Sequence, residues 1–225
     1  MQNETGIAVT ADNLEVARSA EMILIGVKPA VVLPVMREIA TVLEGKLVIS
    51  LAAGVRLESM ETVAPARFMR VMTNTPSAIC RGASAIAPGA RATQEDLAKV
   101  ESVFTAVGIF VRIEEQQIDA VTALAGSGPA FVYTVIEALA EGAQQCGLPS
   151  EAALRLATQT VLGAAQLASE TGMSPEELRK MVVTPGGTTA AGLAAMKKMN
   201  GSEAIAAAVE AATDRGREMA REFSA

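Results

Sequence analysis

A chain of 225 residues, half of them hydrophobic, can bury one large core or two smaller ones; with 3% aromatic residues and no Trp it lacks the stacking surface of a single-strand nucleic-acid binder. A formal charge of −6 without any basic stripe argues against nucleic acid as a partner. Histidine is absent, so Ser-His and Cys-His nucleophile pairs are excluded, the commonest metal ligand is missing, and no metal site is expected.

The first half alternates short apolar runs with helical stretches. Runs 6–10, 22–27, 46–51, 68–73, 83–87 and 108–113 read as strands, several of them apolar throughout, as in a sheet covered on both faces. Between the first four lie 14–20, 31–43 and 57–63, which read as crossover helices, and Asp12 followed by Glu15 fits a capping box at the first. This is a doubly wound α/β pattern. The longest apolar run, 22–36, is broken by Lys28, Pro29 and Pro34 and falls short of the roughly 20 residues a membrane span needs, so no membrane partner is expected. No signal peptide is legible either, and Cys80 and Cys146, far apart and outside any CxxC, read as reduced, buried thiols of a cytoplasmic protein.

A dinucleotide-binding sheet normally opens with a strand, a G-x-G-x-x-G turn and a helix, and no stretch of this sequence supplies them. The expectation is an incomplete Rossmann-like domain over residues 1–116, a truncated piece that binds NADPH weakly, followed by an all-α domain over 117–225. In that second half Val132, Val135, Ile136, Leu139, Ala140 and Ala143 line one helix face. The stretch 154–168 is apolar nearly all round, which predicts burial, and Ile205, Val209, Ala212, Gly216, Met219 and Phe223 form a narrow seam.

Five segments sit where α/β enzymes concentrate function. Gly26 to Pro29, Leu51 to Gly54 and Thr73 to Pro76 end strands, and 125–130 opens a long helix. The fifth, Thr184-Pro185-Gly186-Gly187-Thr188-Thr189, forces a tight turn ahead of a helix over 190–199. The unpaired N–H groups of such a helix start attract a carboxylate or phosphate, although an ordinary turn and cap has the same residues. Ser127 in Gly126-Ser127-Gly128 lacks the strand-to-helix context and the His of a nucleophile elbow. The pairs Glu114-Glu115 and Glu176-Glu177 read as solvated ends of elements rather than a glycosidase dyad.

Together GVKP (26–29), SLAAGV (50–55), RVMTNTP (70–76), DAVTALAGSGPAF (119–131) and MVVTPGGTTAAGL (181–193) resemble pyrroline-5-carboxylate reductase, the last being the most specific. Val183 departs from the small residue usual there. The resemblance implies hydride transfer from NADPH or NADH to the C=N bond of 1-pyrroline-5-carboxylate, a small-molecule substrate, giving L-proline. It implies that Gly187, Thr188 and Thr189 seat the substrate carboxylate, with Ser127 nearby and the Thr189 hydroxyl on the ring nitrogen as the catalytic contact. Val27, Lys28, Pro29, Ala52, Ala53 and Gly54 would wall the cofactor, Asn13 would touch its adenosine ribose, and Asn74, Thr75 and Pro76 would shape the nicotinamide end. A homodimer or higher multiple of dimers follows. A related two-domain imine or hydroxyacid reductase, and a non-catalytic helical oligomerisation fragment, are the alternatives.

Overall fold

The computed structural model describes residues 6–223. Strands β1 (Met22–Ile25), β2 (Leu47–Ser50), β3 (Arg67–Met72), β4 (Gly82–Pro88) and β5 (Gly108–Arg112) form one sheet in that spatial order. The first three run parallel, Met22 opposite Leu47 and Leu47 opposite Arg67, with helices α2 (Pro29–Ile39) and α3 (Leu57–Glu61) as their crossovers. Strand β4 is antiparallel to β3, which makes the sheet mixed. The cause is local: only a short 3₁₀ turn, Thr75–Ile79, joins them, and a parallel return needs about a dozen residues or more. Helix α4 (Gln94–Thr105) restores the parallel sense between β4 and β5.

Side chains alternate between the two sheet faces. Ile23, Val48 and Phe68 join Val32 and Met36 of α2 and Met60 of α3 in one core, with Ala17 of α1 (Asn13–Ser19). Ile49, Met69 and Val71 join Leu97, Val100 and Phe104 of α4 in the other. Both faces of β2 and β3 are therefore dry, which accounts for their unbroken apolar sequence. Asp12 caps α1 by accepting from Leu14 and Glu15 N–H, but Glu15 takes the Thr10 hydroxyl at 2.7 Å instead of completing the box. At its other end Lys46 Nζ donates to the carbonyls of Ala17 and Ala20, both at 2.6 Å.

Two expectations are corrected. Segment 6–10 is irregular rather than a strand: Ile7 and Val9 are exposed, and β-propensity counts only where a sheet face receives the side chains. Cys80 and Cys146 are exposed, not buried. Within a single copy helix α7 (Ser150–Thr171) buries only Ala153 and Ala157.

The chain forms two compact units, one of residues up to Ser127 together with those from Val209, the other Gly128–Ala208. In the first, α5 (Ile118–Val121) runs into a widened π turn, Thr122–Gly126. In the second, α6 (Gly128–Gln145) packs on α7 through Ile136, Ala140, Ala143, Ala153 and Ala157. Then follow α8 (Pro175–Val182), opened by a reciprocal Ser174–Glu177 box, α9 (Thr188–Lys198) and α10 (Gly201–Phe223), whose residues from Val209 belong to the first unit. The helical stretch Glu115–Gln145 is, by length and composition alone, apolar enough to cross a membrane, a property the sequence reading assigned to no segment.

Candidate active site

The carboxyl ends of β1, β2 and β3 carry three of the expected segments, the position where open α/β sheets bind ligands. After β1, Val27 and Lys28 are exposed and Pro29 occupies the first position of α2, where its missing N–H costs nothing. Asn13, Gly26 and Val27 line one small cleft of about 120 Å³, so the structure brings these three together. The Asn13 amide already donates to Glu38 at 2.9 Å.

After β2 the chain is held close. Ala52 is buried, Ala53 is half-buried, and Gly54 adopts φ +73° beneath α10. A Cβ on Gly54 would stand 3.1 Å from Met219 Cβ and from Phe223, so glycine is required both by the backbone and by the helix above it. After β3, Asn74 Oδ1 accepts from Ala83 N–H at 3.0 Å, fixing the turn that carries Thr75 and Pro76. The Thr73 hydroxyl joins Ser77 and Ser84, each at 2.9 Å, under the same turn.

A charged network lies beside these segments. Arg70, only 1% exposed in the middle of β3, bonds Glu115 at 3.0 Å, and the same carboxylate oxygen accepts Leu57 N–H at 2.6 Å. Arg56 bonds the buried Asp119 at 2.6 Å. Burial pulls the Arg70 guanidinium below its ordinary pKa while Glu115 pulls it back up, and its Nε and Nη2 have no partner among the described residues. Glu115, expected to be a solvated end, is thus a structural ligand of a buried cation. The signal available in sequence was the lone Arg in the apolar run Phe68-Met69-Arg70-Val71-Met72. Its partner, separated by 45 positions, had none.

The anion turn lies in the second unit. Gly187 N–H donates to Thr184 O at 3.0 Å and Gly186 has φ +72°, the pattern of a type II turn with Pro185 ahead of the glycine. A Cβ on Gly187 would come within 2.3 Å of Thr184 Oγ1 and 3.2 Å of Thr184 O, so a larger residue here must displace the Thr184 side chain. Because the Gly187 N–H is used within the turn, the donors left at the start of α9 are those of Thr188, Thr189 and Ala190, which have no acceptor among the described residues. Thr188 is exposed and Thr189 half-buried. Ser127 ends the π turn, its N–H donating to Thr122 O at 2.8 Å. Ser127 and the cofactor-wall residues belong to the first unit, Gly187, Thr188 and Thr189 to the second.

Residues 115–219 match the family of pyrroline-5-carboxylate reductase dimerisation domains, and residues 1–54 match the family described as NADP oxidoreductase, coenzyme F420-dependent. The chain is 42% identical to pyrroline-5-carboxylate reductase of Methanosarcina acetivorans, over 98% of this chain and 83% of that protein. Identity to the Arabidopsis thaliana enzyme is 43%, over 96% and 79%. The solved pyrroline-5-carboxylate reductase from Coxiella burnetii superposes with a TM-score of 0.91 at 37% identity, covering 97% of this chain and 83% of that one. The Plasmodium falciparum enzyme, solved with NADP bound, gives 0.89 at 30% identity, over 96% and 83%. At such identity and coverage the chain belongs to the pyrroline-5-carboxylate reductase family.

Proposed function

We propose that in this chain the free N–H groups at the start of α9 receive the substrate carboxylate, and that the Thr189 hydroxyl holds the ring nitrogen, in the reduction of 1-pyrroline-5-carboxylate to L-proline. The observation that carries the reading is the turn Thr184–Gly187, which spends its glycine N–H internally and leaves the N–H groups of Thr188, Thr189 and Ala190 without an acceptor among the described residues. Helix dipole and three donors suit a carboxylate without a dedicated Arg.

The cofactor of this oxidoreductase family is NAD(P)H, which supplies the hydride when bound. The residues present fit one side of a dinucleotide. The cleft at Asn13, Gly26 and Val27 and the main chain around Ala53 and Thr75 are accessible at the carboxyl ends of the strands, where such ligands lie. The sequence contains no G-x-G-x-x-G, so the 225-residue chain is expected to hold NADPH weakly, and titration calorimetry reading a micromolar Kd would contradict that.

The chemistry asks little of a protein without histidine. A protonated imine is already electrophilic, and on accepting hydride at carbon it becomes a neutral secondary amine, with no proton to remove. Thr189 Oγ1 accepts a hydrogen bond from the iminium N–H and retains it in the product, so the ring is held in one orientation through the step. The charge on the carboxylate is met by backbone donors, which need no reorganisation. Assay with 1-pyrroline-5-carboxylate against a hydroxyacid substrate pair tests the assignment: reduction of the imine alone is expected, and turnover of the hydroxyacid pair instead would overturn it.

The active form is a homodimer or a multiple of dimers, in the cytoplasm. In support, Leu154, Leu156, Leu162 and Leu167 of α7 are all half exposed in a single copy, and the family model covering 115–219 is one of dimerisation. The same partner surface gives the apolar stretch Glu115–Gln145 a destination other than a bilayer. We place the boundary between nucleotide and dimerisation domains at 116/117, beside the start of that family match.

A further inference from the structure

Arg56, from the connection between β2 and α3, meets Arg217 and Arg221, from the last two turns of α10, around one recess of about 270 Å³ with buried Ala220 on its wall. All of these belong to the first compact unit. Two of the cations have a carboxylate each: Arg56 bonds Asp119, and Arg217 bonds Asp214 at 2.8 Å on the open surface. Arg221 has no ion pair among the described residues. Arg56 is also close enough to the buried Arg70 for the two charges to repel. Cations late in a helix complement its dipole, which accounts for Arg217 and Arg221. Arg56 is brought to the same recess from a segment more than a hundred positions away by its own pair with Asp119, so three guanidinium groups line one volume in a chain whose net charge is −6. Guanidinium groups that converge leave several forked donors facing one volume, and the ligand matching that arrangement is a tetrahedral oxyanion.

We propose that this recess binds a phosphoryl group, carried either by a free phosphate-bearing metabolite or by the dinucleotide cofactor. A phosphoryl group brings about −1.5 to −2 charge and three acceptor oxygens, enough to neutralise the surplus cation and engage donors of Arg56, Arg217 and Arg221 at once. Arg56 lies two positions beyond Gly54 and next to Leu57, whose N–H is held by Glu115, so a ligand here touches the segment that closes over the end of β2. The site is independent of how the substrate is bound.

The test is calorimetric titration of the whole chain with inorganic pyrophosphate, NADPH and NADH, repeated on Arg217→Gln/Arg221→Gln and on a control, Lys197→Gln/Lys198→Gln. All four side chains are exposed, so each variant folds, as circular dichroism will verify. The double arginine variant is expected to weaken pyrophosphate about tenfold or more, with the lysine control unchanged. If both dinucleotides then bind as before, the ligand is a free phosphate compound; a loss extending to NADPH assigns the recess to the cofactor. No saturable binding of pyrophosphate, equal affinity in the arginine variant, or an equal loss in the lysine control would overturn the proposal.

Discussion

The two units of this chain solve the burial problem in opposite ways. The sheet unit closes on itself: β2 is buried at every position, and Phe68, Met36, Met60 and Val100 are sealed between helices and strands. The helical unit does not, since α6, α7, α8 and α9 together bury only Ala140, Ala153 and Ala157. Its sequence is as apolar as a core, yet Leu139, Leu156, Leu162 and Met196 face outward. The first unit covers its core within one chain; the second leaves an apolar surface of the kind that subunit association covers, in the region that matches a family of dimerisation domains.

That contrast can be broken most severely in the sheet unit. Phe68→Ala removes a fully buried ring from between α2, α3 and the sheet and is expected to cost about 3–5 kcal/mol, read as a lower midpoint in urea with the slope unchanged. In the helical unit the response should be of a different kind. Leu162→Glu is half exposed in one copy, so a self-contained unit would tolerate it; burial against a second copy predicts instead dissociation and a loss on the order of 2 kcal/mol or more from an unpaired carboxylate. Sedimentation velocity separates these, and an unchanged dimer would remove α7 from the interface. Gly187→Val acts locally: the Cβ collides with Thr184 Oγ1, and the affinity of a carboxylate inhibitor should fall about tenfold while the melting temperature barely moves.

The smallest effect concerns pH. Burial pushes the Asp96 carboxyl up, but the Thr93 N–H at 3.0 Å, Arg67 at 2.8 Å and the Thr93 hydroxyl pull it further down, so its folded pKa lies below the ordinary value. Its stabilisation is therefore present above the unfolded pKa and lost as pH falls through the folded one, a window below about pH 4. Asp96→Asn should cost about 1 kcal/mol at neutral pH through the broken cap of α4, and the gap to wild type should narrow as acid is added. A gap that is constant from neutral pH to pH 3 would show that the charge has no part in it.

Strand positions were legible because five of them sit in apolar runs bounded by turns, and parallel β1, β2 and β3 with their crossover helices followed directly. The antiparallel β4 was not, since Ala83 to Ala87 reads the same in either direction; only the short link through Thr75–Ile79 decides it. Segment 6–10 misled because Ile7 and Val9 alternate like a strand while nothing in their own sequence says whether a sheet will receive them. At the site, Pro185, Gly186 and Gly187 announced a turn and a helix start from their own stereochemistry. Which amide the turn would consume required coordinates, and moved the free donors to Thr188, Thr189 and Ala190. The pairing of Arg70 with Glu115 and the convergence of Arg56 with Arg217 and Arg221 were invisible, as tertiary contacts between distant positions leave no local pattern.

The assignment of Thr189 is open to one direct measurement, kcat/KM of Thr189→Val for 1-pyrroline-5-carboxylate at saturating NADPH. Valine keeps the shape and the backbone N–H and deletes only the hydroxyl. Loss of its bond to the ring nitrogen predicts a fall of about tenfold to a hundredfold, roughly 1–3 kcal/mol, with NADPH affinity unchanged. A Thr189→Val protein that reduces the imine as well as the wild type would contradict the account and leave the hydroxyl no role beyond the helix start.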